Sequence, residues 1–498
     1  MSALAQVPEE ALRLSWYPPI GTARNQAIGG AMGSLGGDAT AALVNPAGLA
    51  FFKTSDLVLT PGFRFGNTIS SFRGTDRSDK LRSGMHTGTS GVVLGGFGYR
   101  GRNSFSLTVT TLAHFGQPVQ YKGQNDYSSF AEPLADEFGS SGLTIDQALN
   151  SNTVSLATKM ALYTYLIDTT QVNGVPRVIA RSENSNLLNQ EYTATQKGGI
   201  TEITLGAAQE INRKWMVGGS LGIPILQLDR NSYYRESDAS GDTDNDFAYM
   251  AYRERYRLNG AGINFRGGLI YRPKEYVRLG LAIHSPNLFL VTERFDAGMA
   301  ADLERLFHPN PGYDSVSAST VSGGTVPDTR YALQTPARII LSASWVFREV
   351  ENIGRQKGFL TADIEYTNFK WNRFAPSGED PEEPASLYQP YNDAIDLLYR
   401  GSFQFRLGGE LKFRTIMTRA GFAWQGNPYQ DRQLKARRMI VSGGLGYRNK
   451  GYFIDLTYVH RMDHDVHVPY RVNAPRANTF AALKQTTGTV FLTLGFKI

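Results

Sequence analysis

The chain has 498 residues, 52 glycines, 27 phenylalanines, 25 tyrosines and no cysteine, and only 19% of it is charged. Lack of cysteine excludes disulfides and thiolate metal sites, and the net charge of +6 is spread along the chain instead of gathering into a nucleic-acid footprint. Mean hydropathy is −0.30 and no apolar run approaches the length of a membrane-spanning helix, so the composition fits either a soluble chain or a β-barrel whose alternating strands leave average hydropathy unremarkable.

At the start, Ala3-Leu4-Ala5 before Gln6 matches the small-residue end of a secretory signal with its apolar core missing. The expectation is an exported protein whose signal is truncated before Gln6. Residues 1–56 do not read as strands: they are rich in Gly, Ala and small polar residues. Within them, Asn45 suits an N-cap and Pro46 the first helical position, with Gly48 following too soon for a long helix, so one tight capped turn is predicted.

From residue 57 onward the pattern changes to period two. Phe105, Leu107 and Val109 alternate with Ser104, Ser106, Thr108 and Thr110, and Val277, Leu279, Leu281 and Ile283 alternate with Arg278 and His284. Phe403, Phe405 and Leu407 alternate with Gln404, Arg406 and Glu410. The last segment sets Val490, Leu492, Leu494, Phe496 and Ile498 against Thr487, Thr489, Thr493 and Lys497. About fourteen such strands are predicted, starting near residues 57, 89, 103, 199, 214, 247, 275, 335, 357, 402, 415, 434, 451 and 486. Their connections sort by length. Short turns at 101–103, 212–214, 272–275, 414–415 and 449–450, with a medium one at 348–357, alternate with long links at 67–88, 117–198, 236–246, 295–334, 375–400 and 463–486; the link at 427–433 is a short exception. Such sorting marks a transmembrane antiparallel barrel, with short turns at one membrane face and long loops at the other. Tyr99, Trp215, Tyr271, Tyr447 and Tyr452 beside the short turns suit an interfacial girdle.

The link at 117–198 is too long for a bare loop. Leu156, Met160, Tyr163 and Ile167 stand at helical spacing in it, so one or two short helices are predicted outside the barrel, as a lid packed on itself or an apolar face over the barrel mouth. Strand parity points Arg266, Arg278, Asp363, Glu365, Arg406, Glu410, Arg419 and Asp455 into the lumen, where charge is tolerated. They serve either a wet lumen or ion pairs that grip the N-terminal segment, with Arg24 and Asp38 as its partners. Asp463, His464, Asp465 and His467 cluster in sequence. A metal site or an Asp/His hydrolase site needs a second half, which is missing, so they read as a solvated loop with no metal, cofactor or catalytic role.

A barrel this wide leaves an open lumen unless something fills it, which makes the small-residue N-terminal segment a plug. Here the residues carry a resemblance. Ala27, Gly29, Gly30, Ala31, Leu35, Asp38, Ala39, Ala41 and Asn45-Pro46-Ala47-Gly48-Leu49 resemble the hatch of the FadL/TodX family, outer-membrane transporters of long-chain fatty acids and other hydrophobic compounds. Segments 262–273, 277–287, 335–347, 362–369 and 418–429 are similar to that family too, in the style of its larger Bacteroidetes members. The resemblance implies an all-β fold: a transmembrane antiparallel barrel of about 14 strands over 57–498, plugged by a hatch within 1–56 that Asn45, Pro46, Ala47 and Gly48 hold in place. It implies passive uptake without covalent chemistry or a cofactor. A hydrophobic small molecule is captured outside and leaves sideways through a kinked third strand, into surroundings of outer-membrane lipid and lipopolysaccharide. On this chain that strand is about 103–116, where Gly116 and Pro118 either end the strand or interrupt its pairing as a lateral gate. One family branch implies the alternative: a non-transporting subunit of an assembly with other outer-membrane or surface proteins.

Overall fold

The computed structural model describes residues 8–498 apart from 82, 99–101, 152, 173–174, 305, 307–313, 348–356, 380–381 and 474. The signal remnant before Gln6, Tyr99 and the medium turn at 348–357 therefore lie outside the described residues or nearly so.

Fourteen antiparallel strands close on themselves. In chain order they are β1 (Asp56–Leu59 and Pro61–Phe72), β2 (Thr75–Lys80, Gly84–Thr87 and Ser90–Phe97), β3 (Asn103–His114 and Val119–Asn125), β4 (Leu188–Asn212) and β5 (Trp215–Asp238). Then come β6 (Tyr249–Lys274), β7 (Val277–His284 and Leu288–Asp302), β8 (Thr329–Gln334 and Arg338–Phe347) and β9 (Gly358–Asn368 and Arg373–Pro376). The last five are β10 (Gly401–Phe413), β11 (Ile416–Gln425), β12 (Arg437–Asn449), β13 (Tyr452–His467) and β14 (Ala481–Lys497). β14 closes the ring on β1, with Leu57 opposite Phe496 and Phe63 opposite Val490.

Alternation sets the two faces. Leu279, Leu281 and Ile283 on β7, Phe403, Phe405 and Leu407 on β10, and Ile454 and Leu456 on β13 are exposed, while Thr487, Thr489 and Thr493 on β14 are buried. So large a belt of exposed apolar side chains is out of place in water and matches a bilayer. At its short-turn end Trp215 stacks on Tyr271 at 4.3 Å, Tyr276 packs near Trp345 at 5.1 Å, and Tyr447 and Tyr452 are exposed. No helix among the described residues is long and apolar enough to cross a membrane.

Above the belt the strands run on further than periodicity alone indicates. The 67–88 link is a hairpin: β1 continues to Phe72, Arg73 (φ 47°) and Gly74 (φ 82°) make the turn, and β2 starts at Thr75. Consecutive positive φ angles match the right-handed strand twist; the alternation is hidden because Thr75–Lys80 is polar on both faces. Likewise β4 starts at Leu188, and the long link shrinks to about 126–187. It holds three helices, α1 (Ala131–Ser141), α2 (Ile145–Asn150) and α3 (Leu156–Tyr163), plus a small hairpin that takes Ile167 into a strand. Met160, Leu162, Phe138 and Ile167 pack with Tyr121 and Met299 in one cluster, so this domain is a cap packed on itself and on the strand ends.

The N-terminal segment fills the lumen as three short helices (Pro8–Arg13, Ala23–Ala27, Ala41–Val44) and a tight 3-10 turn, Pro46–Phe51. It is buried almost throughout and returns to the wall where Ser55 pairs with Ile498.

Candidate functional site

Helices this short cannot satisfy their own ends, and the barrel wall does it for them. Asn45 is the central case. Its Oδ1 accepts from the Ala47 backbone N–H at 3.1 Å, capping the turn at Pro46, while Nδ2 donates to Gly33 O at 2.6 Å, Leu269 O on β6 at 3.3 Å and Leu281 O on β7 at 3.4 Å. One amide thus caps the hatch turn and ties it to two strands. Wall hydroxyls take other free carbonyls: Thr457 donates to Ala23 O at 2.7 Å and Ser220 to Ala42 O at 2.7 Å. Glycines on the inner face make this approach possible. A Cβ at Gly268 would run into Oδ1 of Asn45, one at Gly280 into the Gly33 carbonyl, and one at Gly421 into the Gly29 amide.

The inward charges form two clamps. Arg419 lies between Glu410 (2.6 Å) and Asp455 (2.5 Å), and Arg24 of the hatch approaches Glu410 at 3.6 Å. Arg406 meets Glu365 and lies 3.9 Å from Asp363, whose Oδ2 accepts from the hatch amides of Met32 (3.1 Å) and Gly33 (3.0 Å). Arg278 donates to Leu35 O at 2.6 Å, and Arg266 pairs with Glu202 at 2.7 Å. The wall side of this set lies together against the hatch. Asp38 does not join it: its carboxylate accepts from Thr22 Oγ1 (2.8 Å) and the Thr40 amide (2.9 Å), bracing the hatch from within. A short acidic side chain, it finds the amide two residues on and the Thr22 hydroxyl packed beside it before it can reach a wall cation.

Above the hatch is a cavity of about 460 Å³. Its floor is Trp16 to Ile20, its roof includes Tyr192, Tyr234 and His467, and its side wall is Leu112 to Val119 of β3. His467 stacks on Tyr192 at 4.3 Å, and burial pushes its imidazole down to about 3, so the roof is uncharged there. Asp463, Asp465 and His467 do not form a solvated loop. β13 runs to His467 and pairs with β14, which places these three side chains on the cavity wall. Asp463 meets Arg461 at 2.9 Å, and Tyr429 donates to Asp465 at 3.2 Å.

Gly116 and Pro118 do not end β3. The strand stops at His114, passes through Phe115-Gly-Gln-Pro118 and resumes at Val119, paired with β4 on both sides of the break. On its other edge the ladder is lost. β2 pairs with β3 only up to Ser90 opposite Val109; Gly84–Thr87 and Thr75–Lys80 pair with β1 alone. Among the described residues, the seam between β2 and the upper part of β3 therefore has no backbone ladder. Side chains close it: His86 meets His114 edge-on at 4.9 Å, Thr110 donates to Thr89 at 2.9 Å, and Phe72 packs on Tyr121 at 4.8 Å above. Met85, Phe63 and Phe65 beside it are exposed, so the seam lies within the apolar belt. His86 and His114 also line the cavity, making the seam the wall between cavity and belt.

Comparison with solved structures follows this geometry. A Pseudomonas aeruginosa FadL homologue aligns over 97% of this chain and 99% of its own with a TM-score of 0.55 at 12% identity. The P. putida toluene transporter TodX aligns over 97% and 99% (TM-score 0.50, 12% identity), and the Ralstonia pickettii toluene transporter TbuX over 97% and 100% (0.50, 14%). The chain has the FadL-type fold. No protein-family model and no curated protein matches the sequence. Of the features of this site, the sequence indicates the Asn45 turn and the inward charges. Gly116 and Pro118 mark the β3 break in the sequence as well, whereas the inner-face glycines, the cavity arginines and the divergence of β2 carry no comparable signal, although Phe63-Arg64-Phe65 alternates plainly enough to set Arg64 inward.

Proposed function

We propose that this chain is a FadL/TodX-family protein of the bacterial outer membrane that takes up long-chain fatty acids or other hydrophobic compounds passively. The solute enters the cavity under the cap, the hatch denies it an aqueous path down the lumen, and it leaves sideways through the β2–β3 seam into the bilayer. No bond is made or broken; the free-energy gain is transfer of apolar surface from water to lipid. The observation that carries this reading is the loss of the β2–β3 ladder beyond Ser90, beside the break at Phe115–Pro118, so that among the described residues one cavity wall faces the apolar belt with no ladder behind it. The same break and cavity favour uptake over the scaffold-subunit reading, for which an unbroken β3 and a filled interior would serve as well. Lipid and lipopolysaccharide surround the barrel in this account.

The seam is testable because the chain has no cysteine of its own. A His86→Cys/His114→Cys variant, bridged by a short thiol crosslinker, is expected to lose uptake of a hydrophobic fluorophore into cells and to regain it on cleavage of the linker. Undiminished uptake in the bridged form rules out lateral exit.

A further inference from the structure

The two ends of the barrel handle exposed charge differently. At the long-loop end, arginines meet carboxylates: Arg257 with Asp229 at 3.4 Å, Arg294 with Asp328 at 2.8 Å and Arg330 with Glu379 at 2.6 Å. At the other end, the short turns from β4 round to β13 each carry an exposed cation. Lys214 stands at the β4–β5 turn, Lys274 at β6–β7, Lys357 at β8–β9, Arg414 at β10–β11 and Lys450 at β12–β13. Ion pairs at this end go to other residues, Lys53 with Glu210 and Lys497 with Asp56 at 3.5 Å; among the described residues the five turn cations have no carboxylate partner. The one acid among the described residues of these turns is Glu275, next to Lys274.

Two of these cations also burden the backbone. Arg414 and Lys450 open two-residue hairpin turns with φ of 54° and 41°, the left-handed region where Asn or Gly fits with least strain. A turn chosen for stability alone would not place a long cationic side chain there. The cations also adjoin the aromatic girdle. Lys214 precedes Trp215, which stacks on Tyr271 at 4.3 Å; Tyr276 stands two residues after Lys274, and Tyr452 two after Lys450. Such rings sit at headgroup level, so the cations reach the phosphate plane of the same leaflet. A protein partner asks for one patch. Cations on five successive short turns spread the charge around the rim, which matches an annulus of lipid. We propose that the short-turn rim is a cationic collar that binds the headgroups of anionic phospholipids in the leaflet it faces and holds them at the barrel in preference to zwitterionic lipid. This goes beyond uptake and needs only the barrel in a bilayer.

The test reconstitutes the full chain in phosphatidylcholine vesicles. Electron spin resonance then reads how much spin-labelled phosphatidylglycerol, or spin-labelled phosphatidylcholine, is held at the barrel surface. The unmodified protein is expected to hold phosphatidylglycerol roughly two- to fivefold more strongly, the scale of one cation near an anionic headgroup averaged around the rim. Salt at about 1 M should remove the preference. Replacing the collar together (Lys214→Gln, Lys274→Gln, Lys357→Gln, Arg414→Asn and Lys450→Asn) should bring the ratio close to one. Asn suits the two left-handed positions, and unchanged heat-modifiability on gels checks folding. A variant at the other end, Arg257→Gln/Arg294→Gln/Arg330→Gln, should keep the preference. Equal retention of the two lipids by the unmodified protein overturns the proposal and leaves an acidic protein as the collar's remaining occupant. A preference that survives in the collar variant, or that the long-loop variant abolishes as well, overturns it by assigning the effect to charge elsewhere on the barrel. Uptake is read separately, through the crosslinked seam, and stands or falls on its own.

Discussion

The wall from β10 to β14 and the wall between β2 and β3 are made from the same kind of alternating strand, yet they are held shut in different ways. In the first, continuous ladders join each strand to the next, and inward glycines, hydroxyls and charges lock the hatch against them. In the second, the ladder stops at Ser90 and Val109, and imidazoles, threonines and aromatic rings close what remains. Opening the first wall requires breaking backbone hydrogen bonds in lipid, where nothing replaces them. Opening the second requires only that side chains change rotamer. A sealed floor and a compliant side can therefore coexist in one barrel.

The contrast can be broken from either side. Deleting residues 8–56 should have the largest effect: the lumen loses its plug, and small polar solutes leak across the outer membrane in an antibiotic-sensitivity or liposome-swelling assay. Unchanged leakage would mean the wall narrows without the hatch. Next is Arg419→Met, which leaves Glu410 and Asp455 buried without their shared cation and should cost about 3–5 kcal/mol in urea unfolding. Gly268→Val should be milder, about 1–3 kcal/mol from overpacking against Asn45, whereas Gly267→Val on the outer face, with open space around it, should be close to neutral. Equal effects at the two neighbours would contradict the close-approach account. Asn45→Ala removes a cap and the wall hydrogen bonds, for about 1–2 kcal/mol and a small rise in leakage.

The smallest expected effect lies in the cap. Glu236, on β5 above the belt, accepts from the Phe130 amide at 2.8 Å, Gln190 at 2.7 Å and Tyr234 at 2.7 Å. Burial pushes its carboxyl up to about 7, with Glu132 adding to the rise. A raised carboxyl means the folded cap binds the proton more tightly than the unfolded chain. Its contribution is then full below the ordinary value of 4.5 and is lost as pH rises through about 7. Hydrogen exchange in Ala131–Ser141 should accordingly speed up across that window beyond its intrinsic pH dependence, and Glu236→Gln should flatten the excess.

The sequence alone determined the alternation that makes these strands, their number, the sorting of long and short connections, and the Asn45-Pro46 turn, because each depends on residues close together in the chain. Parity also placed Asp363, Glu365, Arg406, Glu410, Arg419 and Asp455 on the inner face before any neighbour was known. Only the tertiary structure decided which of them meet, that Asp38 finds Thr22 and Thr40 instead of the wall, and that Gly268 faces Asn45 while Gly267 faces open space. It also decided that β3 resumes after Pro118 and that β2 leaves its edge unpaired there. A ladder belongs to two strands at once: residues 103–125 fix where β3 can pause, but whether the pause opens a seam depends on the register of β2, β4 and the hatch packed behind them.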